Sequence, residues 1–297
     1  MCRWTLLLTL APGFFASAQD ETRQIFDTHF ANSRLSVAPS APRATPIYRP
    51  VERQAPAKAA ATASKQPARS NSSDAALGIT IWKMWPSTVA DVARLLVLDP
   101  TSGSKVEFTP HRIEAGDVLG IGDRVRLSIE SPANGFLYVV DQELFSDGGL
   151  GPPYLIFPVN GTRGGDNRVL AGQLVDIPEQ SDPVNAFTIK PKGPSDRGEK
   201  LTILLSPGPI PGIPLVRDAL PLSNAIFRSW LQQSQSRAEH FELADGRGRS
   251  WTTAEQEAGT DPKRLLTLID PAPQTVFLFP GGRGKPILAT VLLKFGR

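Results

Sequence analysis

The feature that most constrains the fold is a series of short β-type segments with no helical pattern between them. From residue 77 to residue 206, apolar or alternating stretches are separated by turns rich in Pro, Gly, Asn and Asp. A parallel α/β sheet needs crossover helices, and no segment here predicts one after a strand. The pattern favours a sandwich or barrel, and we predict an Ig-like or related β-sandwich.

Two segments indicate how individual strands should lie. "RVRLSIES" alternates apolar and polar residues, which predicts a half-buried strand. The residues expected on its solvent face are Arg124, Arg126, Ser128 and Glu130. "GFLYVVD", Gly135–Asp141, is apolar on both faces and therefore predicts a central strand, with "YLIFPV" as its neighbour.

The pattern changes after residue 206. "LSNAIFRSWLQQSQSRAEH" predicts a helix with Ser223 as its N-cap. Thr253 and Gln256 have the spacing of a capping box and predict a second, short helix. "QTVFLFPGGRGKPILATVLLKF" has the pattern of a β-hairpin. We therefore predict one domain over residues 77–297, with a helical insertion at about 218–258.

The N-terminus has the features of a secretory signal peptide. In "MCRWTLLLTLAPGFFASAQD", Arg3 precedes an apolar run that ends in small residues, which predicts a signal peptide over residues 1–18. The run is shorter than the ~20 residues that span a bilayer, and we expect no transmembrane segment in the mature chain. The single cysteine, Cys2, lies within this signal. A mature chain without thiols has no disulfide or cysteine nucleophile, and an exported one fits the bacterial periplasm or cell surface.

Residues 19–76 predict a disordered, Pro/Ala-rich basic linker. Its apolar groups are too sparse to offset the entropy cost of ordering the backbone. A weak contact with anionic envelope polymer or lipid headgroups is the alternative to a simple spacer. The net charge of the whole chain is only +3, and the folded part is not strongly basic, so we expect no nucleic-acid partner.

Acidic and polar residues in two loops are the candidate binding site. The six residues are Asp141, Glu143, Asp147, Tyr154, Asp166 and Asn167. Calcium needs six to eight oxygen ligands, which the two loops would approach only if they meet. Their spacing matches no known calcium loop, so we predict no metal site, with weak calcium binding and plain strand-end polarity as alternatives. Loops on a rigid scaffold often carry recognition, and we predict a binding surface here.

No catalytic residues are predicted. His29, His111 and His240 lack metal-ligand spacing, and the chain has no Gly-x-Ser-x-Gly elbow. "FPGGRGKPI" differs from a phosphate loop, because proline follows the lysine and a strand follows the glycines. Among the aromatic residues, Trp82 and Tyr138 fit the core. Trp85 and Tyr154 adjoin prolines and are expected to be more exposed.

Several of these strands together resemble a bacterial family. "GDRVRLSIESPANGFLYVVDQE", "YLIFPV", "NRVLAGQLVDIP" and "KLTILLSP" are similar to the domain-of-unknown-function family DUF4384 over about residues 122–207. The resemblance implies an accessory module of exported or envelope proteins, without established catalytic residues. We therefore predict a non-catalytic cell-envelope interaction module that binds protein or envelope polymer. The alternatives are an envelope hydrolase or a domain regulating one, and a structural surface-layer component.

Overall fold

The computed structural model describes residue 34 and residues 46–51, 73–98, 103–131, 133–261 and 263–296. The predicted signal peptide, 1–18, and most of the predicted linker lie outside the described residues. The strands are β1 (Tyr48–Pro50), β2 (Ala75–Pro86), β3 (Leu95–Leu98), β4 (Lys105–Ile113), β5 (Val118–Leu119), β6 (Arg124–Ser131), β7 (Gly135–Phe145), β8 (Tyr154–Phe157), β9 (Arg168–Val169), β10 (Gln173–Ile177), β11 (Phe187–Thr188), β12 (Asp196–Ser206), β13 (Leu220–Pro221), β14 (Glu239–Leu243), β15 (Thr275–Phe279) and β16 (Ile287–Phe295). The helices are α1 (Asn224–Gln233), α2 (Thr253–Thr260) and a 3₁₀ turn (Arg163–Gly165).

The strands form two sheets packed face to face. In the first sheet, β1, β14, β15, β2, β4 and β3 are neighbours in that order, and β6 pairs with β2, β10 and β11. The second has the order β13, β8, β7, β12, β16 and β5, with β9 also on β7. The β16–β5 pair is parallel, whereas pairs such as β7–β12 and β2–β6 are antiparallel. The protein is a β-sandwich, which confirms the predicted fold class.

The main core lies between the sheets and follows from two-residue periodicity. On β2, Leu77, Ile79 and Ile81 point inward and are at most 1% exposed. On β7, Leu137 and Val139 meet the same core from the second sheet. Full burial of each such side chain contributes ~1.5–3 kcal/mol to stability.

The outer face of the second sheet is covered as well. Tyr138 and Val140 of β7 pack there against Phe227 and Trp230 of α1. Because β7 is buried on both faces and pairs with β8 and β12, the prediction of a central strand with "YLIFPV" beside it is confirmed. Helix α1 begins after Ser223, whose side chain accepts a hydrogen bond from Ile226 N at 3.2 Å, as predicted.

The prediction that β6 is half-buried is wrong. Arg126, Ser128 and Glu130 are 2%, 6% and 1% exposed. They lie beneath α2 and the chain that follows it, and their charges are paired. Arg126 Nη2 and Ser128 Oγ donate to the carboxylate of Asp176 on β10, at 3.1 and 2.5 Å. The alternation identifies the polar face correctly, but it carries no information about a later segment that covers this face.

The predicted C-terminal hairpin is also wrong. β15 pairs with β14 and β2 in the first sheet, whereas β16 pairs with β12 and β5 in the second. Phe277 and Phe279 therefore face Ile287 and Ala289 across the core instead of lying beside them. Both strands are apolar on alternate residues, and the space between the sheets accommodates both sets.

The predicted helical insertion has mixed structure. The chain from residue 218 to residue 258 contains β13 and β14 in addition to α1 and the start of α2. The capping box of α2 is formed by Thr252 and Glu255, one residue earlier than predicted. The chain thus crosses from the second sheet to the first within this segment.

Part of the predicted linker is ordered. β1 pairs with β14, and Tyr48 is 1% exposed, with its hydroxyl donating to Pro273 O at 2.7 Å. β2 begins at Ala75, two residues before the predicted domain boundary. The prediction of disorder over 19–76 is wrong for these residues, because their pairing partners lie about 200 residues later in the chain.

Candidate functional site

Four of the six predicted site residues lie together at one end of the second sheet. Asp141 and Glu143 are on β7, and Tyr154 on β8 is the register partner of Asp141. Asp147 follows in the turn after β7, where its Oδ1 accepts a hydrogen bond from Gly149 N at 2.8 Å. The first three side chains therefore share a surface, and Asp147 stabilises the adjoining turn.

Asp166 and Asn167 lie at the opposite end of β7. They precede β9, which pairs with Gly135 and Phe136. Glu143 lies seven residues further along the strand than Phe136, a distance of ~23 Å. Asn167 Nδ2 donates to Leu137 O at 3.1 Å, and Asp166 Oδ1 accepts from Arg168 Nε at 3.1 Å. The two predicted loops do not form one site.

Glu199 on β12 completes the cluster and was not predicted. It is the register partner of Glu143. Alternation places it on the same face as Leu201 and Ile203, just beyond the apolar core. The sequence feature that could have identified Glu199 is a charged residue at an inward position of a strand. We define the acidic end as Asp141, Glu143, Tyr154 and Glu199.

A lysine from a neighbouring loop reaches the acidic end. Lys192 lies between β11 and β12, and its Nζ forms an ion pair with the Glu143 carboxylate. The same Nζ is 5.6 Å from the centroid of the Tyr154 ring. The hydrogen bond to Glu143 raises the pKa of Lys192. Its side chain remains 72% exposed, whereas that of Glu143 is 21% exposed.

Burial raises the pKa of the two other carboxyl groups, those of Asp141 and Glu199. It raises the pKa of Asp141 to about 6, and the charge of Glu143 adds to this effect while Lys192 opposes it. Burial raises the pKa of Glu199 to about 7, with a further contribution from Asp141. Asp141 Oδ1 is buried without a hydrogen-bond partner. Near neutral pH these two carboxyl groups are therefore partly protonated, and Lys192 is the positive charge beside them.

The absence of a metal site at this end, with weak calcium binding as the alternative, stays a prediction. Over the described residues, no group of three or more His, Cys, Asp or Glu side chains has an arrangement that would hold a metal ion.

Carboxyl groups that titrate near neutral pH also suit general acid–base chemistry, so the hydrolase alternative has one structural observation in its favour.

The two described histidines lie in the first sheet, away from the acidic end. His111 stacks on Trp85 with ring centroids 4.1 Å apart, and its Nδ1 is 3.2 Å from Gly248 O. His240 Nε2 is 3.0 Å from Glu242 Oε1. Thr275 Oγ1 donates to this glutamate at 3.0 Å, so the hydroxyl contacts the acid and not the histidine, unlike a catalytic triad. His29 lies outside the described residues.

The aromatic predictions agree with the structure. Trp82 and Tyr138 are 4% and 3% exposed, as expected for core residues. Trp85 is 48% exposed, and Tyr154 is half-buried at the acidic end.

Comparisons with known proteins add no family to the structural evidence. Within the described part of the chain, no helix has both the length and the apolar character needed to cross a membrane. The resemblance to DUF4384 stays a prediction. Comparisons of the chain with protein-family models, curated proteins and solved structures find no match.

Proposed function

We propose that this chain is an exported bacterial cell-envelope interaction module that binds, without catalysis, a cationic segment of a protein partner at the acidic end. The N-terminal signal pattern and the resemblance to DUF4384 support export and an accessory role. The periplasm and the cell surface are both compatible with this proposal. The partner is defined by its chemistry, a lysine or arginine side chain on an accessible segment.

The position of Lys192 is the observation that carries the proposal. Its ammonium group lies at a carboxylate and near an aromatic ring, an environment that attracts cations. Within the described residues, Lys192 is the cation that forms an ion pair with these carboxylates, whereas Asp141 Oδ1 has no hydrogen-bond partner. A cationic side chain of a partner would take the place of the exposed Lys192 beside these carboxylates. The partial burial of the carboxylates would strengthen the attraction.

The test measures binding of a tetralysine peptide by calorimetry at low ionic strength and pH 8, where the carboxyl groups are ionised. We expect the double variant Asp141→Asn/Glu199→Gln to weaken binding at least about tenfold, the effect of losing one charge-assisted interaction. We expect Lys192→Ala to strengthen binding, because it removes the internal competitor. Asp166→Asn, at the other end of β7, is the matched control and should leave the affinity unchanged.

The behaviour of Lys192→Ala distinguishes binding from a structural role. If Lys192 only stabilised the fold, its removal would weaken or not alter peptide binding, and the proposal would be wrong. Unchanged affinity in the double variant would refute it as well. Retention of the protein by purified envelope polymer, insensitive to all these substitutions, would place recognition on another surface.

The second candidate function is acid–base hydrolysis of an envelope polymer, favoured by the raised pKa values of Asp141 and Glu199. If this function is correct, the protein should release dye from labelled peptidoglycan, and Glu199→Gln should abolish that release. The third hypothesis is a structural surface-layer component. It predicts that the protein can be crosslinked into high-mass assemblies in the native envelope.

A further inference from the structure

Arg34 is enclosed by residues from distant parts of the chain. Its side chain is 0% exposed. Nε and Nη2 donate to the two oxygens of Glu130 at 2.8 and 2.6 Å. Further hydrogen bonds go to the carbonyls of Asp270 at 2.6 Å, Pro271 at 3.0 Å and Thr267 at 3.4 Å. We name Glu130 and these three carbonyls the guanidinium socket.

The carbonyl side of the socket is held by contacts that do not involve Arg34. The carboxylate of Asp270 accepts hydrogen bonds from Thr267 N at 2.6 Å and Thr267 Oγ1 at 2.8 Å. Arg264 Nη2 donates to the other oxygen of Asp270 at 2.7 Å. Glu130 is fixed on β6, next to β2 and β10. Glu130 is thus positioned by the sheet and the carbonyls by contacts within residues 264–270, which makes the socket a preorganised site.

The socket is specific for a planar guanidinium group. Glu130 accepts two parallel hydrogen bonds, a geometry that an ammonium group does not reproduce. The neighbouring cavity, lined by Trp82, Glu130 and Trp251 among others, has a volume of only ≈ 20 Å³. This is room for about one water molecule. The space at the socket therefore accommodates an arginine side chain but no bulkier group beside it.

The geometry points to a binding site for an arginine side chain of a separate peptide segment, which Arg34 occupies within its own chain. Glu130 is 96 residues from Arg34 in sequence, and Pro271 is 237 residues away. The occupant is therefore delivered to the socket by a segment remote in the chain. An arginine on another peptide would form the same hydrogen bonds. The socket lies at the first sheet, whereas the acidic end lies on the second.

The experiment uses the full chain with Arg34→Ala and two fluorescent peptides that span residues 27–41, one with the native arginine and one with alanine in its place. Anisotropy titration should show that the variant binds the native peptide at least about tenfold more tightly than the alanine peptide. The wild-type protein, whose socket is occupied, should bind both peptides equally weakly. Methylguanidinium should raise the melting temperature of the variant more than methylammonium does.

Two further variants test whether Glu130 recognises the arginine. Adding Glu130→Gln to the Arg34→Ala variant should remove the preference for the native peptide, because the paired acceptor is lost. If Arg34→Ala does not fold alone, Arg34→Lys serves as the host, since a lysine retains the charge but not the paired hydrogen bonds. Equal affinity of the host for both peptides, or a preference that survives Glu130→Gln, would overturn the proposal.

Discussion

Asp141 and Glu199 show what the end of a buried strand does to a carboxyl group. Each lies at an inward position where the apolar core ends, so each is partly removed from water, and Asp141 Oδ1 has no hydrogen-bond partner. Their pKa values, about 6 and about 7, exceed the ordinary values of 3.8 and 4.5. The folded protein therefore binds more protons than the unfolded chain between about pH 4 and pH 7.

This difference sets the sign of a pH dependence. The contribution of the two carboxyl groups to stability is fully present below their unfolded pKa values and is lost as the pH rises through the folded values. We expect Glu199→Gln to gain stability relative to wild type between pH 5 and pH 8, on the order of 2 kcal/mol. Urea unfolding at the two pH values measures it, with Asp166→Asn as the control. Parallel stability curves for wild type and Glu199→Gln would contradict the expectation.

The sequence predicted only some of the residues of the acidic end. Asp141, Glu143 and Tyr154 could be predicted because they lie within one turn and its flanking strands. Glu199 and Lys192 could not, because their positions depend on the register between β7 and β12, which is a property of nonlocal pairing.

Helix α2 packs closely against the buried polar side chains of the first sheet. A Cβ on Gly259 would lie 2.2 Å from Asp176 Oδ2. Asp176 has little freedom to move, because Arg126 and Ser128 both donate to its carboxylate. The glycine therefore permits the helix to approach β10.

Gly259→Ala should consequently destabilise the protein even though alanine favours helix by about 1 kcal/mol. We expect a loss on the order of 2 kcal/mol in the free energy of unfolding, as for other overpacked sites. Glu257→Ala, on the exposed side of the same helix, is the matched control and should change little. A gain of stability in Gly259→Ala would show that the contact is not tight. Denaturant titration of the three proteins provides the measurement.

Local signals predicted the helices well, although the capping box of α2 begins one residue earlier than predicted. Thr252 and Thr253 are adjacent, and each has an acid or amide three residues later, so both spacings fit a capping box. The structure selects Thr252 with Glu255, whose Oε1 also accepts from Arg112 Nη2 at 2.5 Å. Strand assignment succeeded where one face was apolar. The two C-terminal strands were also assigned correctly, but their pairing as a hairpin was wrong, because periodicity does not specify which sheet a strand joins.

For the whole molecule, the sandwich is held together by its N-terminal residues as well as by its core. A chain that begins at Ser73 retains both sheets except β1, and it lacks Arg34 and Tyr48. Glu130 would then be a buried carboxylate without its partner, which costs about 3–5 kcal/mol. We expect the shortened chain to unfold at a clearly lower urea concentration than the full chain.

The control for this truncation is Arg49→Ala in the full chain. Arg49 pairs with Glu114, but its side chain is 55% exposed, so the substitution should cost less than about 1 kcal/mol. If the chain from Ser73 and the full chain unfolded at the same midpoint, the N-terminal contacts would contribute nothing. The composition of residues 19–76 could not predict these contacts, because a few anchoring residues do not alter an average.

The burial of Arg34 also has a consequence for the order in which the protein is completed. Synthesis proceeds from the N-terminus, and Arg34 emerges long before Thr267, Asp270 and Pro271. Tyr48 likewise waits for β14 and Pro273. Neither residue acquires its native partners until nearly the whole chain exists. A product cut short before residue 267 would therefore lack the carbonyl partners of both Arg34 and Tyr48.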